Sequence, residues 1–315
     1  MMQNGSEAGR PLRLALIGIG KIARDQHIPA LNADPSFELV ATVSRSGGIE
    51  GLPSFTDIRD LVASDLEVDA VSLATPPQGR HTLASIALEA GYHVMLEKPP
   101  TATVGEVAEL ATRARAKGLS LFATWHSREA ASVGAARDWL AGRTLRSARI
   151  EWKEDIRVWH PGQEWILEAG GLGVFDPGIN ALSIATAILP DPLLIQSAHL
   201  AFPANRQAPI AASLSFRSGR ARVEATFDFL HTGTQSWDIV LETDAGRLVL
   251  SDGGQRLTTD TTEISHGANE EYPRLYTRFA SLVRKGASDV DLTPLQLVAD
   301  AFLIGERSEV APFSF

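Results

Sequence analysis

LRLALIGIGKIARDQH, residues 12–27, puts an apolar run, two glycines and an amphipathic helical pattern in immediate succession. A short strand that runs into a glycine turn and then a helix is how a dinucleotide's phosphates are held. Gly18 would make the tight turn, Gly20 would let backbone amides approach a pyrophosphate, and the small Ala23 would let the helix lie close on the sheet. The phosphates would sit at the positive end of the helix beginning near Lys21. Gly18, Ile19, Gly20, Lys21 and Ile22 are therefore the candidate cradle. A G-x-G-x-x-A string alone recurs by chance; the strand before it and the helix after it give it weight.

The same alternation continues to about Trp125. Strands are predicted over 13–17, 38–43, 70–74, 93–97 and 119–124, and helices over 21–31, 58–63, 81–90 and 104–117, with Gly91 and Gly118 where helix-ending glycines belong. This is the pattern of βαβ units and a parallel sheet. After Ser127 the character changes. A helix over 132–140 leads into strands over 147–152, 193–202, 211–216, 222–229, 236–243 and 247–251, with a long loop and a helix over 174–189 between the first two. Helical periodicity returns over 273–285 and 293–306, segments expected to pack back on the first domain. The predicted fold is α/β. It has a Rossmann dinucleotide-binding domain over 1–127, of which 1–10 is a disordered tail, and an α+β domain over 128–315 with a large, mostly antiparallel sheet.

Composition agrees. At 315 residues the chain is about twice a usual domain length. No apolar run approaches the roughly 20 residues that a membrane helix needs. The opening MMQNGSEAGR has no apolar segment and no twin arginine of an export signal, so a cytoplasmic location is expected. A formal charge of −9 opposes a polyanionic partner, so no nucleic acid is expected. Cysteine is absent, which removes disulfides, thiolate zinc sites and a cysteine nucleophile. None of the eight histidines falls in a metal-binding spacing. No metal is expected, and the chemistry is assigned to an organic cofactor.

The second strand ends in Val43, Ser44, Arg45 and Ser46. A guanidinium with neighbouring hydroxyls suits a 2'-phosphate, where an acidic residue would select the free ribose hydroxyl, so NADP is favoured over NAD. Thr75 and Pro76, after the strand over 70–74, join the cofactor-binding set. MLEKPP, residues 95–100, ends the strand over 93–97, and Glu97 and Lys98 are expected to face the crevice at the carboxyl ends of the strands. In GGLGVFDPGIN, residues 170–180, Asp176 and Asn180 would share one helix face, a proton acceptor beside an amide. Alternatively Asp176 caps the helix, with Pro177 at its first position. WKEDIRVWHPGQEW, residues 152–165, mixes acids and histidine with tryptophans that could stack on a sugar ring, or is a core strand with a solvated edge.

Taken together, GIGKIA at 18–23, EKPP at 97–100 and GGLGVFDPGIN at 170–180 resemble the Gfo/Idh/MocA family of oxidoreductases over nearly the whole chain. Within it, MLEKPP, LFATWHSR at 121–128, WKED at 152–155, WHPGQ at 159–163 and GGLGVFDPGINALS at 170–183 are similar to the bacterial sugar dehydrogenases that act at C1 of L-arabinose and D-galactose. The resemblance implies NADP or NAD as cofactor and a homodimer formed through the C-terminal sheet. It also implies hydride transfer from the anomeric carbon of L-arabinose, D-galactose or D-fucose to give the lactone. Many relatives carry a histidine at the position of Asn180 and give it the proton-transfer role. Asparagine is no base at neutral pH, so the role passes to Asp176, with Lys98 polarising the same oxygen. The same carry-over gives Lys98, His126, Glu154, His160, Asp176 and Asn180 as sugar-binding residues. Another sugar or inositol dehydrogenase of the family is the alternative. So is a cofactor-binding regulator without turnover, which the presence of Lys98 and Asp176 disfavours.

Overall fold

The computed structural model describes residues 9–315, so most of the tail expected over 1–10 lies outside the described residues. Six strands form the first sheet: β1 (Leu12–Ile17), β2 (Phe37–Val43), β3 (Ser54–Phe55), β4 (Ala70–Leu73), β5 (His93–Leu96) and β6 (Leu121–Ala123). All pair in parallel, in the order β3-β2-β1-β4-β5-β6. Every residue of β4 is buried because helices cover both faces, which is why these strands read as continuous apolar runs. One face packs under Ile58–Val62, Arg80–Glu89 and Val104–Lys117; the other packs under a helical run over 21–33 and the distant helix Glu271–Lys285. The helix Val104–Lys117 carries its own boundaries, a capping box between Thr103 and Glu106 and a left-handed Gly118 at φ 68°. Strand order reverses between β1 and β4, so a crevice opens at their carboxyl ends.

The second sheet has nine strands: β7 (Leu145–Lys153), β8 (Leu193–Pro203), β9 (Ala211–Ser218), β10 (Ala221–Asp228), β11 (Ser236–Thr243), β12 (Gly246–Ser251), β13 (Arg256–Thr259), β14 (Glu263–His266) and β15 (Glu306–Val310). Their order is β14-β13-β12-β11-β7-β10-β9-β8-β15, antiparallel except at β7–β10 and β8–β15. Along β10 buried and more exposed residues alternate. One face therefore packs on the helix Phe175–Ile188, and the other presents Arg149, Arg222, Glu224, Glu242 and Arg247.

Three features depart from the sequence-based expectation. The short strands β3, β13 and β14 have too few residues to display a period. The segment over 293–306 stops being helical at Ile304, because Gly305 sits against the preceding turn and Leu200, where a Cβ would meet the Ala301 carbonyl at 2.5 Å; the chain then adds β15 to the sheet edge. The two C-terminal helices also part company. Tyr272, Leu275, Tyr276 and Phe279 bury the first of them on the parallel sheet, whereas Leu295, Leu297, Val298 and Ala301 bury Thr293–Ile304 in the core of the second sheet.

Candidate active site

The glycine turn behaves as its residues require. Gly18 has φ 92°, and a Cβ there would lie 2.9 Å from the Ala74 carbonyl carbon and the Thr75 nitrogen, so only glycine lets β1 turn against the end of β4. Gly20 is exposed, with nothing within 4 Å of where its Cβ would be, which leaves its backbone open to a ligand. Ala23 is fully buried on the sheet. Ile19 is also buried, so only its main chain can serve a cofactor; Ile22 is exposed, and Lys21 is paired with Asp25.

Among the described residues two buried side-chain atoms have no hydrogen-bond partner: Thr75 Oγ1, beside this turn, and Gln78 Oε1, whose side chain lies against Gly170. Buried polar atoms rarely stay unpaired, and a nicotinamide dinucleotide, rich in hydroxyls and amides, fits the need. Pro76 is exposed at the same rim. After β2 the Ser44 and Ser46 hydroxyls lie 3.1 Å apart, with Arg45 exposed between them and without an ion-pair partner among the described residues.

At the end of β5, Lys98 and Glu97 diverge. The Lys98 ammonium is 3.2 Å from Asp176 Oδ1 and donates to the Asp176 carbonyl at 3.0 Å, with the two side chains 14% and 4% exposed. Glu97 does not face the crevice as the sequence suggests. Its carboxylate accepts from Tyr272 and lies 3.5 Å from His27 Nε2, inside the layer under Glu271–Lys285. Side chains two apart on a strand share a face, so Glu97 follows the core residue Met95. Burial works to raise the Glu97 carboxyl. The hydrogen bond and charge of His27, the charge of His126 and the Tyr272 hydroxyl outweigh it and hold the group below the usual carboxylate range.

Asp176 lies within the helix Phe175–Ile188, whose N-cap is Val174 without a side-chain cap bond. The capping alternative therefore falls, and the carboxylate is turned to Lys98. Its second oxygen is 3.9 Å from His160 Nε2, which lies 3.3 Å from Glu154 Oε1, and Trp237 Nε1 donates to Glu154 Oε2 at 2.8 Å. Trp159, 40% exposed, meets the edge of Trp237 at 4.8 Å between ring centroids. Asn180 follows one turn after Asp176, half-buried, its side chain without a hydrogen-bond partner among the described residues. The structure thus gathers Lys98, Asp176, His160 and Glu154 into one chain of contacts. His126 stands apart from it, bonded through Nδ1 to Glu271 and stacked on Tyr272.

Sequence reading missed Gln78, Arg80 and Trp237. Trp237 sits in a strand, where an aromatic ordinarily means core, and nothing local distinguishes Gln78 or Arg80 from surface residues. A separate cavity of about 390 Å³ beside Phe122, Arg128, Glu129, Arg274 and Arg278 contains none of these site residues. The four arginines that line it, Arg128, Arg137, Arg274 and Arg278, are already paired with Asp291, Asp138, Glu270 and Asp289.

Residues 12–124 match the model of the Gfo/Idh/MocA oxidoreductase family with its NAD-binding Rossmann fold. Over 305 residues the chain is 46% identical to a galactose 1-dehydrogenase of Pseudomonas fluorescens, covering 96% of this chain and 99% of the other. The chain belongs to the Gfo/Idh/MocA family of oxidoreductases. Among solved structures, the D-galactose-1-dehydrogenase protein from Rhizobium etli matches with a TM-score of 0.93 at 53% identity, covering 97% of this chain and 99% of that one. A 3-ketoreductase from Actinomadura kijaniata in complex with NADP and TDP-benzene matches with a TM-score of 0.83 over 95% of this chain and 99% of that one. At 20% identity that is a likeness of fold alone. The family model stops at the end of the parallel sheet; the two galactose dehydrogenases extend the relationship through the segments that carry Glu154, His160 and Asp176.

Proposed function

We propose that the protein is an NADP-preferring aldose 1-dehydrogenase that oxidises the anomeric carbon of D-galactose, L-arabinose or D-fucose to the lactone. The observation that carries this reading is the pair Lys98 and Asp176, an ammonium and a carboxylate in contact at the carboxyl end of β5, beside the dinucleotide turn. A bound nicotinamide dinucleotide, held at the turn of Gly18 and Gly20, would supply the hydride acceptor for C1. Asp176 takes the C1 hydroxyl proton as the C1 carbonyl forms, and Lys98, donating to the same oxygen, stabilises the negative charge that develops on it. Asn180, His160 and Glu154 bind ring hydroxyls, and Trp159 offers a face for the sugar's CH groups. His126, held through Nδ1 by Glu271, lies outside that chain of contacts, and the resemblance alone assigns it to the sugar. The chemistry balances as sugar plus oxidised cofactor giving lactone, reduced cofactor and one proton.

Support for the substrate class comes from the two similar galactose dehydrogenases. L-Arabinose shares the C2, C3 and C4 configuration of D-galactose and differs at C5, a distinction that a pocket makes by only about 1 to 3 kcal/mol. Arg45 and its serine neighbours support NADP, with NAD as the weaker cofactor. The open face of the nine-stranded sheet, with arginines beside glutamates, suits a two-fold homodimer in which each charge meets its opposite. We place this enzyme in the cytoplasm; among the described residues no helix is long and apolar enough to cross a membrane. Steady-state rates of the purified protein on a panel of aldoses with NADP and with NAD test the proposal. It predicts turnover on D-galactose or L-arabinose with stoichiometric lactone, and absence of turnover on every aldose with either cofactor overturns it.

A further inference from the structure

Arg80 opens the helix Arg80–Glu89, where an arginine would ordinarily reach into solvent, yet it is only 2% exposed. All the hydrogen bonds it makes go to backbone carbonyls: Nη1 donates to those of Glu97 and Pro99, and Nη2 to that of Thr75. Its Nε is buried without a partner among the described residues. A guanidinium is costly to bury, and burial pushes this one down to about 10, with the charges of Glu97 and Asp176 acting in the opposite sense. A fold that only needed to fill this space would do better with an apolar side chain.

The three carbonyls explain the cost. Those of Glu97 and Pro99 flank Lys98 on either side, so one nitrogen grips the backbone both before and after the lysine. The Thr75 carbonyl belongs to the loop against which Gly18 packs. One rigid fork therefore joins the cofactor turn to the segment that presents the lysine, and Lys98 reaches from there to Asp176 Oδ1 at 3.2 Å.

We infer that Arg80 is the positioning residue for Lys98, fixing the 97–99 backbone relative to the cofactor turn so that the ammonium meets Asp176 and the reacting oxygen. The inference rests on the proposed role of Lys98. Lysine at position 80 would keep the charge but not the planar fork, and one ammonium cannot span the same three carbonyls.

Arg80→Lys and Arg80→Gln test this, read by kcat, by the primary isotope effect with C1-deuterated D-galactose, and by the rate at which acetic anhydride labels Lys98 in the whole protein. Displacing a reacting group by about 1 Å costs on the order of 100-fold, so Arg80→Lys is expected to lower kcat by about that factor and enlarge the isotope effect. Lys98 should be labelled several-fold faster than in the wild type. Arg80→Gln, whose shorter side chain ends near the arginine Nε and reaches none of the three carbonyls, should show effects at least as large. Wild-type kcat, isotope effect and labelling in folded Arg80→Lys overturn the inference. If that variant does not fold, unchanged labelling in Arg80→Gln does so. Should the wild type oxidise no sugar, the proposed function fails, while the labelling comparison still decides what Arg80 does.

Discussion

Lys98 and Asp176 come from opposite sides of the crevice, one from the end of the parallel sheet and the other from the buried helix Phe175–Ile188, and they meet at 3.2 Å. Among the described residues the only other ionisable group within 4 Å of either is His160, 3.9 Å from the second Asp176 oxygen. Lys98→Ala leaves the buried Asp176 carboxylate without this partner and so also costs stability; rates are therefore read per folded protein. Lys98→Ala is expected to lower kcat on the best sugar by at least about 100-fold, the scale of a positioned proton-transfer or oxyanion group. Cofactor affinity, read by fluorescence titration, should remain within a few-fold. Near wild-type turnover would reduce Lys98 to a structural ion-pair partner.

Arg45 lies exposed after β2 between two serines. Its charge has no internal partner to lose, so Arg45→Ala should leave the melting temperature unchanged. KM for NADP should rise by about 10-fold or more, the scale of a lost charge-assisted contact, while KM for NAD hardly moves. Equal effects on both cofactors would remove the 2'-phosphate assignment.

The readable features of this chain are the local ones. Gly18, Gly20 and Ala23 carry their meaning in their own conformations and size, and the helix holding Asp176 and Asn180 shows as a long apolar run, buried on nearly every side. Glu97 departs from its expected place although the signal is in the sequence, since strand alternation ties it to the core residue Met95. The roles of Arg80 and Trp237 have no local signal at all. One depends on carbonyls 5 to 19 residues away in the chain, the other on a carboxylate 83 residues away. Contacts of that kind exist only once the sheets are assembled.

Trp237 supplies such a contact. Its indole N–H holds Glu154 Oε2, and Glu154 is 3% exposed, so Trp237→Phe keeps an aromatic ring but leaves a buried carboxylate oxygen one donor short. A loss of about 1 to 3 kcal/mol in unfolding free energy is expected. If Glu154 binds sugar hydroxyls, KM for the sugar should rise about 10-fold at unchanged KM for the cofactor. A stability loss with an unaltered sugar KM would confine Glu154 to the core.

Glu97 links pH to stability. Its carboxyl is held below the ordinary range in the folded protein, so the charged form favours the fold. That contribution is present above the unfolded carboxylate pKa, near 4.3, and is lost as pH falls towards the folded value. Glu97→Gln should therefore be less stable than the wild type at neutral pH, and the gap should narrow between about pH 5 and pH 3 in urea titrations. A gap that stays constant across that interval would show that His27 and Tyr272 do not favour the charged form.

Asp176→Asn separates proton transfer from architecture. Asp176 makes no cap bond, so the substitution removes nothing from the start of its helix. The amide oxygen can still accept from Lys98, whose second bond, to the Asp176 carbonyl, does not involve the side chain. What is lost is the charge on one hydrogen bond, about 1 to 2 kcal/mol, a few degrees of melting temperature for a chain of this size. Catalysis should respond quite differently. With Asp176 as proton acceptor, Asp176→Asn should lose most of the activity. Steady-state rates normalised to folded protein distinguish the cases. A variant that keeps its turnover would move the proton acceptor elsewhere, to Lys98, His126 or a bound water.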